Sequence, residues 1–234
     1  MPINLRALST AATVFEAQEP DPLFVRAAAR AMQVLSAFHQ ATGPLSLTEI
    51  AANAQLDRSA TQRLVHTLLK LGYLRRSSDN RGYLPGIRML GNTLDLLRLD
   101  PMIQKATPVL LELRKTVRER VDLSLFDQSR MVYALRMQSK RETFYATLVG
   151  HSVPSYCTAG GRAALAALPE DQAREIITST PRESYTAKTV TDIDQLMALL
   201  APVRADGFAL LEDEFLAGEV AIGVAVGPHG KPPP

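Results

Sequence analysis

The sequence contains very few cysteines and histidines, and this scarcity limits the chemistry that it can support. Its single cysteine, Cys157, excludes a disulfide within the chain. The four histidines, at positions 39, 66, 151 and 229, lack the spacing that a set of metal ligands requires. We therefore expect neither a metal site nor another cofactor.

Long apolar stretches are absent as well. The chain has no uninterrupted apolar run that approaches the roughly 20 residues of a membrane-spanning helix. Its N-terminus also lacks the charged start, apolar core and cleavage site of a secretory signal. We expect a cytoplasmic protein without a membrane partner, and its 234 residues suffice for two modest domains.

Residues 48–71 show the pattern of two short helices around a tight break. Apolar residues recur at helical spacing in the first helix, namely Ile50, Ala51 and Ala54. Gln55 and Leu56 interrupt this pattern, and Asp57 then offers a side-chain oxygen as N-cap of the next helix. This arrangement predicts a helix-turn-helix.

The second of these helices has two different faces. We expect its inward face to consist of Ala60, Leu64, Leu68 and Leu71. The opposite face can form hydrogen bonds, and it consists of Ser59, Gln62, Arg63 and His66. This polar stripe suits a DNA groove, although a solvated amphipathic helix gives the same pattern.

A basic β-hairpin is predicted directly behind this helix. After the helix stop at Gly72, one strand starts at Tyr73, a turn covers Asp79–Gly82, and a second strand covers Tyr83–Pro85. Three arginines lie at and near its tip, namely Arg75, Arg76 and Arg81. They suit phosphates or a minor groove. Chance arginines on a solvated hairpin are the alternative, but the complete package favours DNA binding.

Positive charge is concentrated in the same part of the chain. The whole sequence carries a net charge of +2, whereas residues 21–99 contain ten Lys or Arg against five Asp or Glu, a local balance of +5. Residues 100–234 have a balance of −2. Such a distribution is typical of one domain that meets a polyanion and another that does not.

Two more helices frame this basic region. Helix Val25–Gln40 should turn its inner face to the core, with Ala28, Met32, Leu35 and Phe38 as the inward residues. Arg26 and Arg30 on its other side could contact a phosphate or simply be solvated. Helix Gly86–Leu99 presents a narrow seam at roughly heptad spacing, formed by Ile87, Leu90, Leu94 and Leu97. That seam fits either a partner helix or burial against its own domain.

A second domain is predicted to begin at Asp100–Pro101, because proline cannot continue the preceding helix. Its predicted helices are Met102–Arg120, Gly161–Ala167, Asp171–Thr178 and Ile193–Ala205. Its predicted strands are Val121–Phe126, Met131–Met137, Phe144–Val149 and Phe208–Leu211. Strands with helices on their faces indicate an α+β fold.

Four blocks of sequence resemble the IclR family of bacterial transcriptional regulators, in the order and spacing of that family. They are VRAAARAMQVLSAF, LTEIAANAQLDRSATQRLVHTLLKLGYL, YLPGIRMLGNT and CTAGGRAALAALP, and the resemblance covers residues 22–227. The stretch VDLSLFDQSRMVYALRMQSKRETFYATLVG resembles the branch that controls catabolism of aromatic acids such as protocatechuate and 4-hydroxybenzoate.

The resemblance implies a domain plan and an assembly. A flexible arm (1–20) would precede a winged helix-turn-helix (21–85), a linker and dimerisation helix (86–100) and a GAF-like effector domain (101–234). Family members assemble as homodimers or dimers of dimers, and symmetric dimers need pseudo-palindromic double-stranded operators. A small organic acid, aromatic in this branch, would be the effector.

The expected DNA-binding residues lie on the first helix, the second helix of the motif and the hairpin: Arg26, Arg30, Arg58, Ser59, Thr61, Gln62, Arg63, His66, Arg75, Arg76 and Arg81. Gln62 suits adenine and Arg63 suits guanine, whereas the serine and the hairpin arginines suit phosphates. Thr61 matches a family position, although it projects near the edge of the inward face.

The expected effector site surrounds the sequence TAGGR, where a helix begins. Paired glycines allow backbone N–H groups to approach a ligand, and a helix N-terminus attracts a carboxylate. The expected residues are Tyr156, Cys157, Ala159, Gly160, Gly161 and Glu212. Close packing of the glycines against the sheet, and a solvated Glu212, are the alternatives.

The chain departs from the family pattern after GVAVGPHG, where other members continue with another strand and a C-terminal helix. We therefore expect a shortened effector domain with an open sheet edge. A protein-interaction module or antirepressor without effector response is the alternative function. Enzyme activity is not expected, because no motif such as GxSxG frames the nucleophile and base types at Asp127, His151, Ser152 and Cys157.

Overall fold

The computed structural model describes residues 21–39, 41–127, 129–138 and 149–227. The chain divides into two compact units between Asp100 and Pro101, the pair at which the sequence pattern changes. Within the described ranges, no helix is long and apolar enough to cross a membrane. The predicted arm at 1–20 and residues 228–234 lie outside the described residues.

The first unit consists of helices around a small β-hairpin. Its elements are α1 (Arg26–Ser36), α2 (Leu47–Asn53), α3 (Arg58–Lys70), β1 (Leu74–Arg76), β2 (Tyr83–Pro85) and α4 (Arg88–Leu99). Strands β1 and β2 pair antiparallel, and Leu45 adds an isolated bridge to Tyr83. One core joins α1, α2, α3 and the hairpin through Val34, Ile50, Val65, Leu68 and Leu74.

Local side-chain bonds define the start of α2 and of α3. Ser46 and Glu49 form a reciprocal capping box at α2. Gln55 then takes a left-handed conformation with φ of 54°, which turns the chain between the helices. The Asp57 carboxylate accepts a 2.8 Å hydrogen bond from the Ala60 N–H at the start of α3. The predicted break and N-cap are confirmed.

The predicted inward faces of α1 and α3 need correction. Ala28 and Met32 are exposed, because the unit's core reaches only the last turns of α1, where Val34 and Ala37 are buried. Leu71 is the C-cap of α3 and is 50% exposed. Val65 is buried in α3 instead.

The hairpin and α4 are joined by a short, closely packed connection. The Gly86 N–H donates to the Tyr73 carbonyl at 2.7 Å. A Cβ at Gly86 would stand 2.1 Å from the Gly72 carbonyl oxygen, so only glycine fits there. The Asn92 amide of α4 donates to the Tyr73 hydroxyl at 3.3 Å.

The second unit mixes helices and strands, as the predicted α+β fold requires. Its elements are α5 (Pro101–Val117), β3 (Val121–Asp127), β4 (Arg130–Met137), β5 (Ser152–Pro154), α6 (Ala159–Ala167), α7 (Glu170–Ser179), α8 (Ile193–Asp206), β6 (Ala209–Glu212) and β7 (Val220–Gly223). Strands β3, β4 and β5 form one antiparallel sheet, and β6 and β7 form another.

Two strands of this unit differ from the sequence expectation. Most of the predicted strand Phe144–Val149 lies outside the described residues, and Val149 itself is in a turn. The strand that pairs with β4 on the side away from β3 is β5, which at three residues is too short to show a period-2 pattern. Strand β7 was likewise not predicted.

Helix α6 occupies the centre of the second unit. Its alanines pack on both sheets, Ala163 beside Ala209 and Leu211 and Ala164 beside Met131 and Val153. A Cβ at Gly161 would stand 2.3 Å from the Ser155 backbone. Gly161 therefore permits a helix-to-strand approach that no other residue allows.

We predict that alanine destabilises the fold at one of the two adjacent glycines of α6 and is tolerated at the other. Gly161→Ala should destabilise the fold by about 1–3 kcal/mol, because the new Cβ meets backbone that cannot move aside. In Gly160→Ala the Cβ would meet the Ser124 hydroxyl at 3.3 Å, a side chain that can rotate, so this control should be tolerated. Chemical denaturation measures both, and equal stabilities would contradict the packing argument.

We predict that the Asp57 cap makes the stability of the first unit pH-dependent. Hydrogen bonds from the Ala60 N–H and the Ser59 hydroxyl hold the Asp57 pKa below its usual 3.8. The stabilisation is therefore present above pH 3.8 and is lost as the pH falls through the lowered pKa of the folded state.

Thermal melts should show a lower Tm for Asp57→Ala at neutral pH, with the difference from the wild type narrowing in acid. Asp57→Asn keeps the capping oxygen without a titrating group and is the matched control. A constant difference between wild type and Asp57→Ala across the acid range would contradict the prediction.

Candidate nucleic-acid interface and effector site

Helix α3 separates its buried and exposed residues cleanly. Ala60, Val65 and Leu68 are buried on the side that faces the core. The opposite face is exposed along its length, and it carries Arg58, Ser59, Gln62, Arg63 and His66. The five side chains thus form one polar surface, which we call the α3 stripe.

Thr61 does not belong to the α3 stripe. Its side chain is 0% exposed, and its hydroxyl donates a 2.9 Å hydrogen bond to the Asp57 carbonyl one turn earlier. The expectation that Thr61 contacts DNA is therefore corrected: the residue packs on the inner side of α3. A β-branched threonine can satisfy its hydroxyl within the helix, which permits this burial.

Two residues, Ser59 of α3 and Arg30 of α1, interact with the Asp57 cap at the start of α3. The Ser59 hydroxyl donates to Asp57 at 2.9 Å, which holds it at the first turn. Arg30 adds a smaller electrostatic contribution to the lowered pKa of Asp57, so its guanidinium lies near this helix start. Arg26 is exposed one turn earlier on α1.

The hairpin tip is closed by a compact hydrogen-bond network. Asp79 accepts from the Ser77 hydroxyl at 2.5 Å and from the Arg81 N–H at 3.1 Å. The Gly82 N–H donates to the Ser77 hydroxyl at 3.0 Å. Asn80 takes the left-handed conformation with φ of 56°, as a tight turn demands.

The hairpin arginines project from this tight frame. Arg75, Arg76 and Arg81 are exposed, and the Arg76 guanidinium lies 4.5 Å from the centroid of the Tyr83 ring. Among the described ion pairs, none engages these arginines or those of the α3 stripe. Their charge is therefore free to meet an anion.

The segment expected to bind an effector lies at the N-terminus of α6. Thr158 gives this helix no side-chain cap, because its hydroxyl donates to the Pro154 carbonyl at 2.6 Å instead. The Ser124 side chain on β3 faces Gly160. A Cβ at Gly223 of β7 would stand 2.3 Å from the Ala159 carbonyl, so β7 closes the other side.

Tyr156 and Cys157 belong to the hydrophobic core. They are 1% and 0% exposed and pack with the buried residues of α7 and α8. The Tyr156 hydroxyl donates to the Glu183 carbonyl at 2.6 Å, and burial raises the pKa of the Cys157 thiol to about 12. Both side chains are thus engaged in the core, and their expected place in the wall of an effector pocket stays a prediction.

Glu212 lies at the exposed end of β6, whose burial alternates along the strand. Its neighbour Glu214 is instead buried in an ion pair with Arg162, with bonds of 2.6 and 2.7 Å. Arg162 also donates to the Tyr156 carbonyl at 2.9 Å. This buried pair was missed from the sequence, although Arg162 directly follows the paired glycines.

A second set of polar groups lies on β3 and β4 and at the residues just before β3 and β7. The Asp122 Oδ2 atom is 3.0 Å from Arg120 Nε and 3.1 Å from Arg136 Nη2. Arg120 Nη2 also contacts Glu219 Oε1 at 2.6 Å. Burial raises the pKa of Asp122 above its usual value against the opposing effect of the two arginines. We call these four residues the β3–β4 charge network.

Two rings border the charge network. The Arg136 guanidinium lies 3.8 Å from the centroid of the Tyr133 ring, and His151 stacks parallel to Tyr133 with the ring centroids 6.4 Å apart. Burial raises the pKa of Tyr133. Burial, helped by Arg136 and Arg130, lowers the pKa of His151, which favours the neutral imidazole.

Comparison with known proteins identifies both units. A model of the IclR helix-turn-helix domain matches residues 27–78, and a model of the bacterial transcriptional regulator IclR C-terminal domain matches residues 95–231. The chain is similar to the Pca regulon regulatory protein of Pseudomonas putida, with 30% identity over 209 residues that cover 88% of this chain and 70% of that protein.

Two further relatives agree with this result. The HTH-type transcriptional regulator Rv1719 of Mycobacterium tuberculosis is 31% identical over 205 residues, covering 86% of this chain and 77% of that protein. The crystal structure of an IclR family transcriptional regulator from Brucella abortus matches with a TM-score of 0.75 and 26% identity, covering 97% of this chain and 84% of that chain. The chain therefore belongs to the IclR family of DNA-binding transcriptional regulators, whose members are not enzymes.

Proposed function

We propose that this regulator reads its operator with the α3 stripe in the major groove and the hairpin on the flanking backbone. The observation that carries the proposal is the exposed polar face of α3, whose arginines take part in none of the described ion pairs and whose opposite face is fixed in the core. Amide and guanidinium groups at one-turn spacing suit base edges in that groove.

The residues of this interface have different roles. Gln62 and Arg63 lie at the middle of the exposed face and suit adenine and guanine, with His66 one turn beyond. Phosphates are the expected partners of the other groups, because these stand at the helix start or on the hairpin; they are Arg26, Arg30, Arg58, Ser59, Arg75, Arg76 and Arg81. A regulator that binds operator DNA would act in the cytoplasm.

We propose that α4 joins two copies of the chain. None of its residues is buried, and its apolar seam is open, with Ile87 80%, Leu90 68% and Leu94 61% exposed. Such a row of large apolar groups in water is unfavourable, and a second α4 would cover it. A homodimer, or a dimer of dimers, would then read two symmetric half-sites.

The second unit is proposed to be a GAF-like domain that binds a small organic acid, and resemblance alone assigns that acid to the aromatic class. Support comes from the uncapped N-terminus of α6 at Ala159 and Gly160, since free helical amides attract a carboxylate. The Pseudomonas putida relative bears the name of a Pca regulon regulator. A pure interaction module would leave the α3 stripe without a role.

We predict that DNA binding depends on Arg63 and on salt. Arg63→Ala should weaken binding to the intergenic DNA upstream of the gene by about 1–3 kcal/mol, because a base contact is lost. Arg81→Ala should weaken binding to all sequences and reduce the salt slope by about one.

Titrations by fluorescence anisotropy at several salt concentrations measure both effects. Arg174→Ala is the matched control, because it removes one exposed arginine from α7 in the other unit. If the DNA affinity does not depend on the salt concentration and is the same in Arg63→Ala as in the wild type, the proposed interface is wrong.

We predict that a charge in the α4 seam separates the copies. Leu94→Glu should weaken self-association by about 2 kcal/mol or more, because the carboxylate would be buried at the interface. Sedimentation velocity across a dilution series measures this, with Asp95→Ser on the adjacent polar face as control. A wild-type chain that stays monomeric at all concentrations would refute the dimer.

A further inference from the structure

The β3–β4 charge network contains a buried guanidinium with unused donors. The Arg136 side chain is only 5% exposed. Within the part of the chain that the structure describes, its Nε and Nη1 atoms have no hydrogen-bond partner. Buried polar groups are nearly always paired, because an unsatisfied charged donor away from water is costly. An acceptor is therefore needed at this position.

The neighbouring carboxylates do not meet this need. Asp122 Oδ2 divides its contacts between Arg136 and Arg120, and Glu219 is engaged by Arg120. Arg136 therefore has to share the Asp122 carboxylate oxygen with Arg120. The Tyr133 ring faces its guanidinium plane and supplies no anionic oxygen. Asp122 Oδ1 also lacks a hydrogen-bond partner among the described residues. This oxygen could accept a hydrogen bond from a hydroxyl group or a water molecule.

The position of the start of α6 can be read from its contacts with the sheet. Gly160, near the start of the helix, faces Ser124. Ser124 is the register partner of Tyr133, and the centroid of the Tyr133 ring lies 3.8 Å from the Arg136 guanidinium. The start of α6 therefore lies beside the ring that Arg136 covers.

Strand register then places Arg136 near this N-terminus. Asp122 and Ser124 are two residues apart, so they share one face of β3 at a spacing of about 7 Å. Arg136 is the register partner of Asp122, and its side chain contacts the Asp122 carboxylate. The uncapped amides of α6 and the unused donors of Arg136 therefore border the same region.

We propose that Arg136 binds the carboxylate of the small organic acid, with the N-terminus of α6 adding its positive dipole end. This inference rests on the effector response proposed above and names the residue that selects an acid over a neutral analogue. One of the two unused donors, Nε–H or Nη1–H, donates to a carboxylate oxygen in a charge-assisted hydrogen bond. These two N–H bonds diverge, so the other donor is left for a hydroxyl or a water. The helix amides add attraction for the same negative charge.

The test uses the full chain, with 4-hydroxybenzoate as probe and 4-hydroxybenzamide as its uncharged counterpart. Calorimetry should show binding of the acid to the wild type and a loss of about tenfold or more in Arg136→Gln. Arg120→Gln is the matched control: it alters the same charge network at a guanidinium engaged by Glu219, so it should retain affinity within about threefold of the wild type.

Arg136→Lys keeps the proposal testable should Arg136→Gln fail to fold, since it preserves the charge beside Asp122. The lysine variant should bind the acid more weakly than the wild type, because it lacks the planar fork of donors. Equal acid affinity in the wild type and in a folded Arg136 variant would overturn the inference alone. An equal loss in Arg120→Gln would also overturn it, by showing a structural role for the whole network.

Operator binding without the acid separates this inference from the wider proposal. It should be unchanged in Arg136→Gln, because Arg136 lies in the second unit. A wild type that binds its operator but not the acid would overturn both the role of Arg136 and the proposed effector, while the DNA interface would stand. A wild type that binds the acid and the amide equally would overturn the carboxylate contact.

Discussion

The proposed DNA-reading surface depends on how α3 is rotated about its own axis, and the core sets that rotation. Ala60, Thr61, Val65 and Leu68 must all be buried at once, which leaves a single orientation. The α3 stripe consists of the polar residues that this orientation leaves exposed to solvent. A substitution in the core of this unit can therefore disturb operator recognition by turning the helix, although the substituted side chain never approaches DNA.

Sequence reasoning succeeded where the information was local. The Asp57 cap, the break at Gln55 and the hairpin turn each involve residues a few positions apart, and the structure contains all three. Thr61 was misplaced because a helical wheel does not show whether the hydroxyl of a threonine at the edge of a face forms a hydrogen bond to the backbone of its own helix. Met32 was misplaced because helical periodicity identifies an apolar face but not how far along the helix the core extends.

The second unit shows the corresponding limit for long-range contacts. Asp122 and Arg136 become neighbours only through the register of β3 with β4, which contains an irregularity at Leu123 and Ser124. Neither the register nor the shift can be read from alternation alone. For the glycines of α6 the sequence left two interpretations open, and the structure shows close packing for Gly161, where a Cβ would meet the Ser155 backbone. At Gly160 a Cβ would meet the Ser124 side chain instead, and its role toward an effector stays a prediction.

The joint between the hairpin and α4 has a mechanical consequence. Gly86 is pressed against the Gly72 backbone, and Asn92 is tied to Tyr73, so the connection has little freedom to bend. Because this connection is rigid, a rotation of α4 would be passed on to the hairpin. In the proposed dimer, a change in the crossing angle of the two α4 helices would therefore move each hairpin, and the separation of the two hairpin tips would depend on the angle between the copies.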